Sequence, residues 1–478
     1  MPELLNALRR LVGADHVLTE GDLSAYTHDW RGRSQGRARA VVRPGTAAEV
    51  AAVVQCCAAH ALAHPEQNLS LVPQGGNTGL VVGSTPDASG RQVVLSLQRL
   101  RRIRAIDGAN STLTAEAGCV LQSVQDAARE AGYWFPLSLA AEGSCTLGGN
   151  LATNAGGTQV LRFGNARDLC LGLEVVTPQG ALWDGLSGLR KDNTGYDLRH
   201  LYIGSEGTLG IITAATVKLW PLPQAQRTAW AAVPDVAAAV RLLGLAQRQL
   251  GAELTGFELM GDFALQLVAR HFADTPVPLL GSSAYAVLLE LSSPRDDAHT
   301  RASLEALLGA ALDEGCVLDA VLAESLAQSR SLWEIRERIP LAQAQEGLNI
   351  KHDISVPISR IADFVAHTDA LLQRQVPGVR LVNFGHLGDG NLHYNVQAPQ
   401  GMDAAAFLRD FEPRVNTWVF DAVQAHGGSI SAEHGIGSLK VGHLAHYKSP
   451  VALAAMRAIK KALDPLGLLN PGRVVTLD

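Results

Sequence analysis

Two stretches of equal length carry opposite patterns. Between residues 75 and 210, short β-branched and aliphatic runs (VVLSL at 93–97, LEVVTPQG at 173–180, GIITAATVKL beginning at 210) alternate with glycine-rich turns. This is the pattern of strands that deliver loops to a ligand. From about residue 223 the apolar positions recur at helical spacing in VAAAVRLLGLAQRQL, TRASLEALLGAALDEG and ESLAQSRSLWEIRERI, interrupted by strand-like AYAVLLELSS and VLDAVLA. ISVPIS, LVNFGH and LHYNV predict further strands, and VALAAMRAIKKAL predicts a last helix closed by DPLGLLNPGR. Glycine follows the same division, with 22 in residues 75–210 and 7 in residues 211–346. The segment WPLPQAQ at 220–226 holds two prolines, which continue neither a helix nor a central strand, so it marks a boundary. The expected class is α+β, with a binding domain over residues 1–222, an α+β cap over 223–430 and a C-terminal segment over 431–478.

Composition narrows the field. A chain of 478 residues exceeds what one core organises. Its net charge of -6 offers no basic surface for a phosphate backbone, so nucleic acid is not an expected partner. No run of 18 apolar residues occurs, so no membrane span is expected. The N-terminal MPELLNALRRLVGADHVLTE mixes acids with bases and lacks a small-residue cleavage site, which predicts neither a secretory nor a transit peptide and a cytoplasmic protein. The six cysteines show no CxxC spacing and read as reduced core thiols.

Three glycine-rich segments stand out: PQGGNTGL (73–80), GSCTLGGNLATNAGG (143–157) and GSEGTLGIIT (204–213). Adjacent glycines let backbone N–H groups converge on an anionic oxygen, while Asn and Thr add donors, as a pyrophosphate requires. Gly75, Gly76, Asn77, Thr78 and Gly79 form the best candidate nest. Any one such loop reads equally as a tight turn; three in one domain favour a binding role. No GxGxxG or Walker A spacing occurs, so a different nucleotide fold is needed.

These loops, with VVRPGTAAEVAAVV and the terminal LDPLGLLNPGRV, resemble the FAD-binding family of vanillyl alcohol oxidase and para-cresol methylhydroxylase across nearly the whole chain. The resemblance implies that family's FAD-binding fold of two subdomains, with an α+β cap and a C-terminal segment returning to the flavin. It assigns cofactor roles to Gln74, Gly75, Gly76, Asn77, Thr78, Gly79 and Leu80 around the pyrophosphate. Gly143, Ser144, Gly148, Gly149, Asn150, Thr153 and Asn154 would lie along the flavin, joined by Gly204, Glu206, Gly207, Ile212 and Asn470. Some relatives tether the flavin through His or Cys, but no His lies in these loops and Cys145 sits in a segment resembling non-covalent members, so dissociable FAD is expected.

In the second half, GHLGDGNLHYN places His386 and His393 either side of Gly388-Asp389-Gly390, a sequence that favours tight reversal between strands and brings the imidazoles together. Asn395 lies two residues beyond His393, on the same strand face. SISAEHGIG offers Glu433 and His434 before a glycine turn. Two His and a carboxylate suit zinc or a similar divalent ion with open positions. An Asp-Gly hairpin flanked by histidines equally suits surface punctuation, and the residues alone leave both readings open.

HLGDGNLH and SAEHGIG are similar to paired segments of the zinc-dependent D-2-hydroxy acid dehydrogenases of this flavoprotein family. That resemblance implies His386, His393 and Glu433 as metal ligands, with Asn395 and His434 facing the substrate. Arg336 and Lys351, in RERIPLAQAQEGLNIKHDIS, match its carboxylate-binding positions. One departure is plain: Pro340 stands where members acting on D-2-hydroxyglutarate carry a substrate-binding Thr. The implied reaction oxidises D-2-hydroxyglutarate or a related acid such as D-malate or D-lactate. His434 takes the hydroxyl proton, Arg336 and Lys351 hold carboxylate oxygen, and the C2 hydride passes to the flavin. The implied acceptor is an electron-transfer flavoprotein, a quinone or a cytochrome, with a homodimer among the expected assemblies. The alternatives are a metal-free FAD oxidase of the same fold and the FAD subunit of a glycolate oxidase-like complex.

Overall fold

The structure, a computed structural model, describes residues 2–477. It divides into two compact units: residues 1–156, 164–222 and 433–478 form the first, and residues 157–163 and 223–432 the second. The first transition at 222 falls between the two prolines of WPLPQAQ. The C-terminal segment is part of the first unit, and the short stretch 157–163 is part of the second.

The first unit contains a small sheet in the order Val17–Leu18, Ala38–Val42, Gln92–Ser96, Ser70–Gln74, whose last three strands run parallel. Parallel neighbours need a crossover. The helix Ala47–Ala63 supplies it, capped by Thr46, whose hydroxyl accepts from Glu49 N–H, and burying Val50, Val53, Val54 and Cys57. A second sheet, antiparallel throughout, runs Ile103–Asp107, Thr112–Glu116, Ile211–Lys218, Cys170–Val176, Leu182–Gly185.

The C-terminal DPLGLLNPGR is fixed by a buried cation. Lys460 Nζ donates to Thr208 O and Leu469 O (2.7 and 2.8 Å) and to Asp464, whose other bonds take the N–H groups of Leu468 and Leu469. Leu469 then bridges Leu71 on the strand that opens into the first glycine loop.

The second unit is built on an eight-stranded antiparallel sheet. Its path runs Asp319–Leu322, Ala225–Val233, Tyr285–Ser293, Leu254–Gly261, Arg380–Gly385, Asn391–Gln397, and the last strand also pairs Asn349–Ile350 and Asp353–Ser355. The helices Asp262–His271 and Leu326–Glu346 pack on it through a core of Trp230, Met260, Leu265, Val268, Leu332, Ile335, Ile339 and Phe384. Leu326–Glu346 continues through Pro340. Proline has no N–H to give, so the carbonyl of Arg336, four residues back, loses its helical partner. No described helix is long and apolar enough to cross a membrane.

Candidate functional site

In the first unit the glycine loops are pressed together so closely at Gly75, Gly76 and Gly148 that side chains are excluded there. A Cβ on Gly75 would lie 2.3 Å from Thr146 Oγ1, and one on Gly76 would lie 2.2 Å from the carbonyl oxygen of Ser144. A Cβ on Gly148 would meet Ala117 Cβ at 2.5 Å. Asn77, Val82, Asn154, Glu206 and Asn470 all hold left-handed backbone (φ between 47° and 57°). That conformation is uncommon outside glycine, and such strain gathers where loops are shaped for a ligand.

Several side chains expected at the cofactor also brace the cradle. Gln74 Nε2 donates to Tyr26 O and Ser84 O. Asn77 Nδ2 donates to Ala25 O and His28 O, while its oxygen accepts from Ser84 Oγ. Asn470 Nδ2 donates to Gly83 O and Glu206 O (2.9 and 2.7 Å). Glu206 spends both carboxylate oxygens on the N–H groups of Ile436 and Gly437, each at 2.7 Å. Burial pushes its carboxyl above the usual range, against those two amides. The N–H groups of Leu147 and Gly148 are taken by Cys119 O and Ala117 O, so Gly148 serves close packing. Ile212 is buried in the strand Ile211–Lys218, paired with Val175.

The cradle fits a polar cofactor. Gln74 Oε1, Thr146 Oγ1, Ser205 Oγ and Asn470 Oδ1 are buried without a protein partner, and a buried polar atom without one is costly. Cys145 is buried as a free thiol, pushed up to about 11 by burial, which suppresses the thiolate a covalent link would need.

The second unit supplies the charged groups. Arg380–Gly385 and Asn391–Gln397 pair antiparallel with Phe384 opposite His393, joined by a tight turn in which Gly390 takes φ +86°. The hairpin brings the imidazoles of His386 and His393 to 5.6 Å between ring centroids, as its Gly-Asp-Gly turn predicts. The His393 ring lies tilted against Phe384, 4.9 Å between centroids, and its Nδ1 lies 3.9 Å from Asp353 Oδ1, on the neighbouring strand. His386 Nδ1 meets Glu258 Oε1 at 2.5 Å.

Glu258 is missing from the sequence-based set. It is fully buried on Leu254–Gly261, and its Oε2 also accepts from Arg336 Nε at 2.7 Å. Burial alone would raise its carboxyl, but the charges and hydrogen bonds of His386 and Arg336 outweigh that and hold it well below the ordinary range. An ionised carboxylate only accepts, so His386 presents an N–H on Nδ1 to Glu258, and in the neutral ring this leaves the lone pair on Nε2.

Arg336 lies in the middle of Leu326–Glu346, only 7% exposed, with its guanidinium 4.8 Å from the Phe384 ring centroid. It belongs to a polar stripe on the core-facing side of that helix. Trp333 Nε1 donates to Glu290, Arg336 to Glu258, and Gln343 accepts from Asn395 Nδ2, each pair reaching a different strand. Asn395 Oδ1 accepts from His352 N–H, so this side chain, expected to face the substrate, is held at both ends within the protein. Lys351 is half-buried beside it, between Asn349–Ile350 and Asp353–Ser355.

Glu433 and His434 follow Ala432, whose N–H is tied to Asp353 O at 3.3 Å. In the first unit the Glu433 carboxylate closes over Gly156, where a Cβ would lie 2.6 Å from Oε1. Gly435 and Gly437 turn the chain with φ +79° and +53°.

Comparisons with known proteins agree with both halves. A model of the FAD binding domain matches residues 38–185, and one of the C-terminal domain of FAD linked oxidases matches 222–474. D-2-hydroxyglutarate dehydrogenase, mitochondrial, of Arabidopsis thaliana is 37% identical over 468 residues, 98% of this chain and 80% of the plant protein. D-2-hydroxyglutarate dehydrogenase of Xanthomonas citri pv. viticola is 40% identical over 474 residues, 99% of this chain and 97% of the bacterial one. Among solved structures, p-cresol methylhydroxylase with substrate bound superposes with a TM-score of 0.73 at 17% identity, covering 99% of this chain and 97% of that one, a likeness of fold. The protein is an FAD-dependent oxidoreductase with the fold of vanillyl alcohol oxidase and p-cresol methylhydroxylase. More narrowly, the chain belongs to the FAD linked oxidases, in the branch that holds these D-2-hydroxyglutarate dehydrogenases.

Proposed function

We propose that this protein is a metal-dependent dehydrogenase that oxidises a D-2-hydroxy acid, D-2-hydroxyglutarate before D-malate or D-lactate, to the 2-oxo acid. The observation that carries the reading is the second unit's pairing of two imidazoles on one hairpin with a buried guanidinium, in a chain whose full-length relatives bear that enzyme's name. FAD, held without a covalent bond, supplies the two-electron acceptor, and a divalent ion such as zinc supplies positive charge at the hydroxyl and carboxylate.

The chain's own residues do the rest. His386 and His393 of the second unit would hold the ion, with Glu433 of the first unit as the carboxylate donor, donor types suited to zinc. Arg336 receives a substrate carboxylate in an orientation set by its bond to Glu258. Lys351 receives the distal carboxylate of a dicarboxylic acid, and Asn395 shapes the floor between them. His434 accepts the hydroxyl proton, since a neutral imidazole suits that task near pH 7. Gln74, Asn77, Asn470 and Glu206 keep the glycine cradle in shape. The electron acceptor is taken to be an electron-transfer flavoprotein, a quinone or a cytochrome.

The test is a panel of 2-hydroxy acids, both enantiomers, mixed anaerobically with the purified protein while flavin absorbance is followed. Rapid bleaching by D-2-hydroxyglutarate and not by its L-enantiomer supports the reading. Bleaching by neither enantiomer of any 2-hydroxy acid overturns it.

A further inference from the structure

We propose that Glu258 is the positioning residue of the second unit's site, fixing through one carboxylate both the tautomer of His386 and the orientation of Arg336. This rests on the proposed metal-dependent reading and adds a residue to it. Glu258 stands on a strand 128 residues before His386 and 78 residues before its helix partner Arg336, so its two bonds unite three separate elements.

The geometry leaves it little other role. The strand Leu254–Gly261 is buried along nearly its whole length, and Phe257 and Leu259 beside Glu258 are core residues. A fully buried carboxylate there costs stability unless it is paired on both oxygens. Oε1 faces His386 Nδ1 at 2.5 Å and Oε2 faces Arg336 Nε at 2.7 Å. The strand register holds this arrangement: Met260 pairs with Phe384 and Leu259 with Gly385, so the residue next along, His386, arrives opposite Glu258. Arg336 is fixed from the other side by Phe384 under its guanidinium. A carboxylate that accepts from Nδ1 keeps the Nε2 lone pair for a metal, the role such outer partners play in metal sites.

The experiment measures the affinity of Zn2+ itself for the metal-stripped, FAD-loaded full chain, by competition with a chromophoric chelator. Glu258→Gln keeps the shape of the side chain and removes its charge. Its Zn2+ affinity is expected to fall by roughly 10- to 100-fold, with FAD content unchanged and with a higher KM for D-2-hydroxyglutarate. Equal Zn2+ affinity in the variant and the wild type overturns the inference and leaves the metal reading standing. A wild type that binds no Zn2+ overturns the metal reading and this inference with it. Should Glu258→Gln fail to fold, the 15N-histidine spectrum of the metal-free wild type decides. A His386 signal of the Nδ1–H tautomer, identified by its loss in His386→Asn, supports the inference, and an Nε2–H tautomer overturns it.

Discussion

The glycine cradle of the first unit and the histidine hairpin of the second solve the same problem, holding a polar group in a folded chain, by opposite means. The cradle is made of backbone: Gly75 and Gly76 are shaped by what cannot be present, since a Cβ on either would collide with Thr146 or Ser144. The hairpin site is made of side chains whose positions depend on partners far away in sequence, Glu258 for His386 and Gln343 for Asn395. A backbone site therefore fails when bulk is added. A side-chain site fails when one charge is removed.

Four changes separate the two regions. The largest effect is expected at His434: His434→Ala should lower kcat by roughly 100- to 10,000-fold while FAD content and KM change little, because a proton acceptor acts mainly in the transition state. Stopped-flow flavin reduction measures it, and an unchanged rate moves the base elsewhere. His386→Ala should lower Zn2+ affinity by more than about 100-fold, since losing a ligand exceeds losing its outer partner. Metal analysis beside flavin absorbance checks that FAD stays bound. Lys351→Met should remove the preference for D-2-hydroxyglutarate over D-lactate, a difference in kcat/KM of about ten- to a hundredfold for one charge-assisted contact. An equal loss for both acids would show that Lys351 does not read a distal carboxylate. Gly76→Val is the mirror experiment. Its Cβ meets a backbone carbonyl that cannot rotate away, an overpacking cost of about 1 to 3 kcal/mol, so FAD affinity should fall roughly tenfold while Zn2+ affinity is kept. A variant that lost both equally would end the distinction between the two sites.

The same contrast decides what was legible in the sequence. Strand runs and glycine loops are local, so VVLSL, GIITAATVKL and the hairpin around Gly388-Asp389-Gly390 appear where the patterns place them. The helix Leu326–Glu346 was legible only as far as Ile339. Pro340 suggests a stop, yet the helix runs on because Ile339, Ala342 and Gln343 are buried against the sheet. Glu258 was not legible by spacing, since its partners are 78 and 128 residues away. Its one local signal was a lone acid inside the apolar run GFELMG, and a carboxylate in a strand buried on both faces requires a charged partner. The bracing bonds of Gln74, Asn77 and Asn470 were not legible for a related reason. Asn and Gln donate equally well to a ligand and to a carbonyl, and the carbonyls of Tyr26, His28 and Gly83 that hold Gln74, Asn77 and Asn470 are set by tertiary packing.

The central claim, metal-dependent oxidation of a D-2-hydroxy acid, is tested most directly by single-turnover flavin reduction with D-2-hydroxyglutarate before and after chelation. Fast bleaching in the untreated protein, its loss on chelation with FAD still bound, and its return on adding Zn2+ are the predicted results. Bleaching at the same rate in the chelated protein, with metal analysis confirming removal, would contradict the account and leave the hairpin histidines as part of a metal-free pocket.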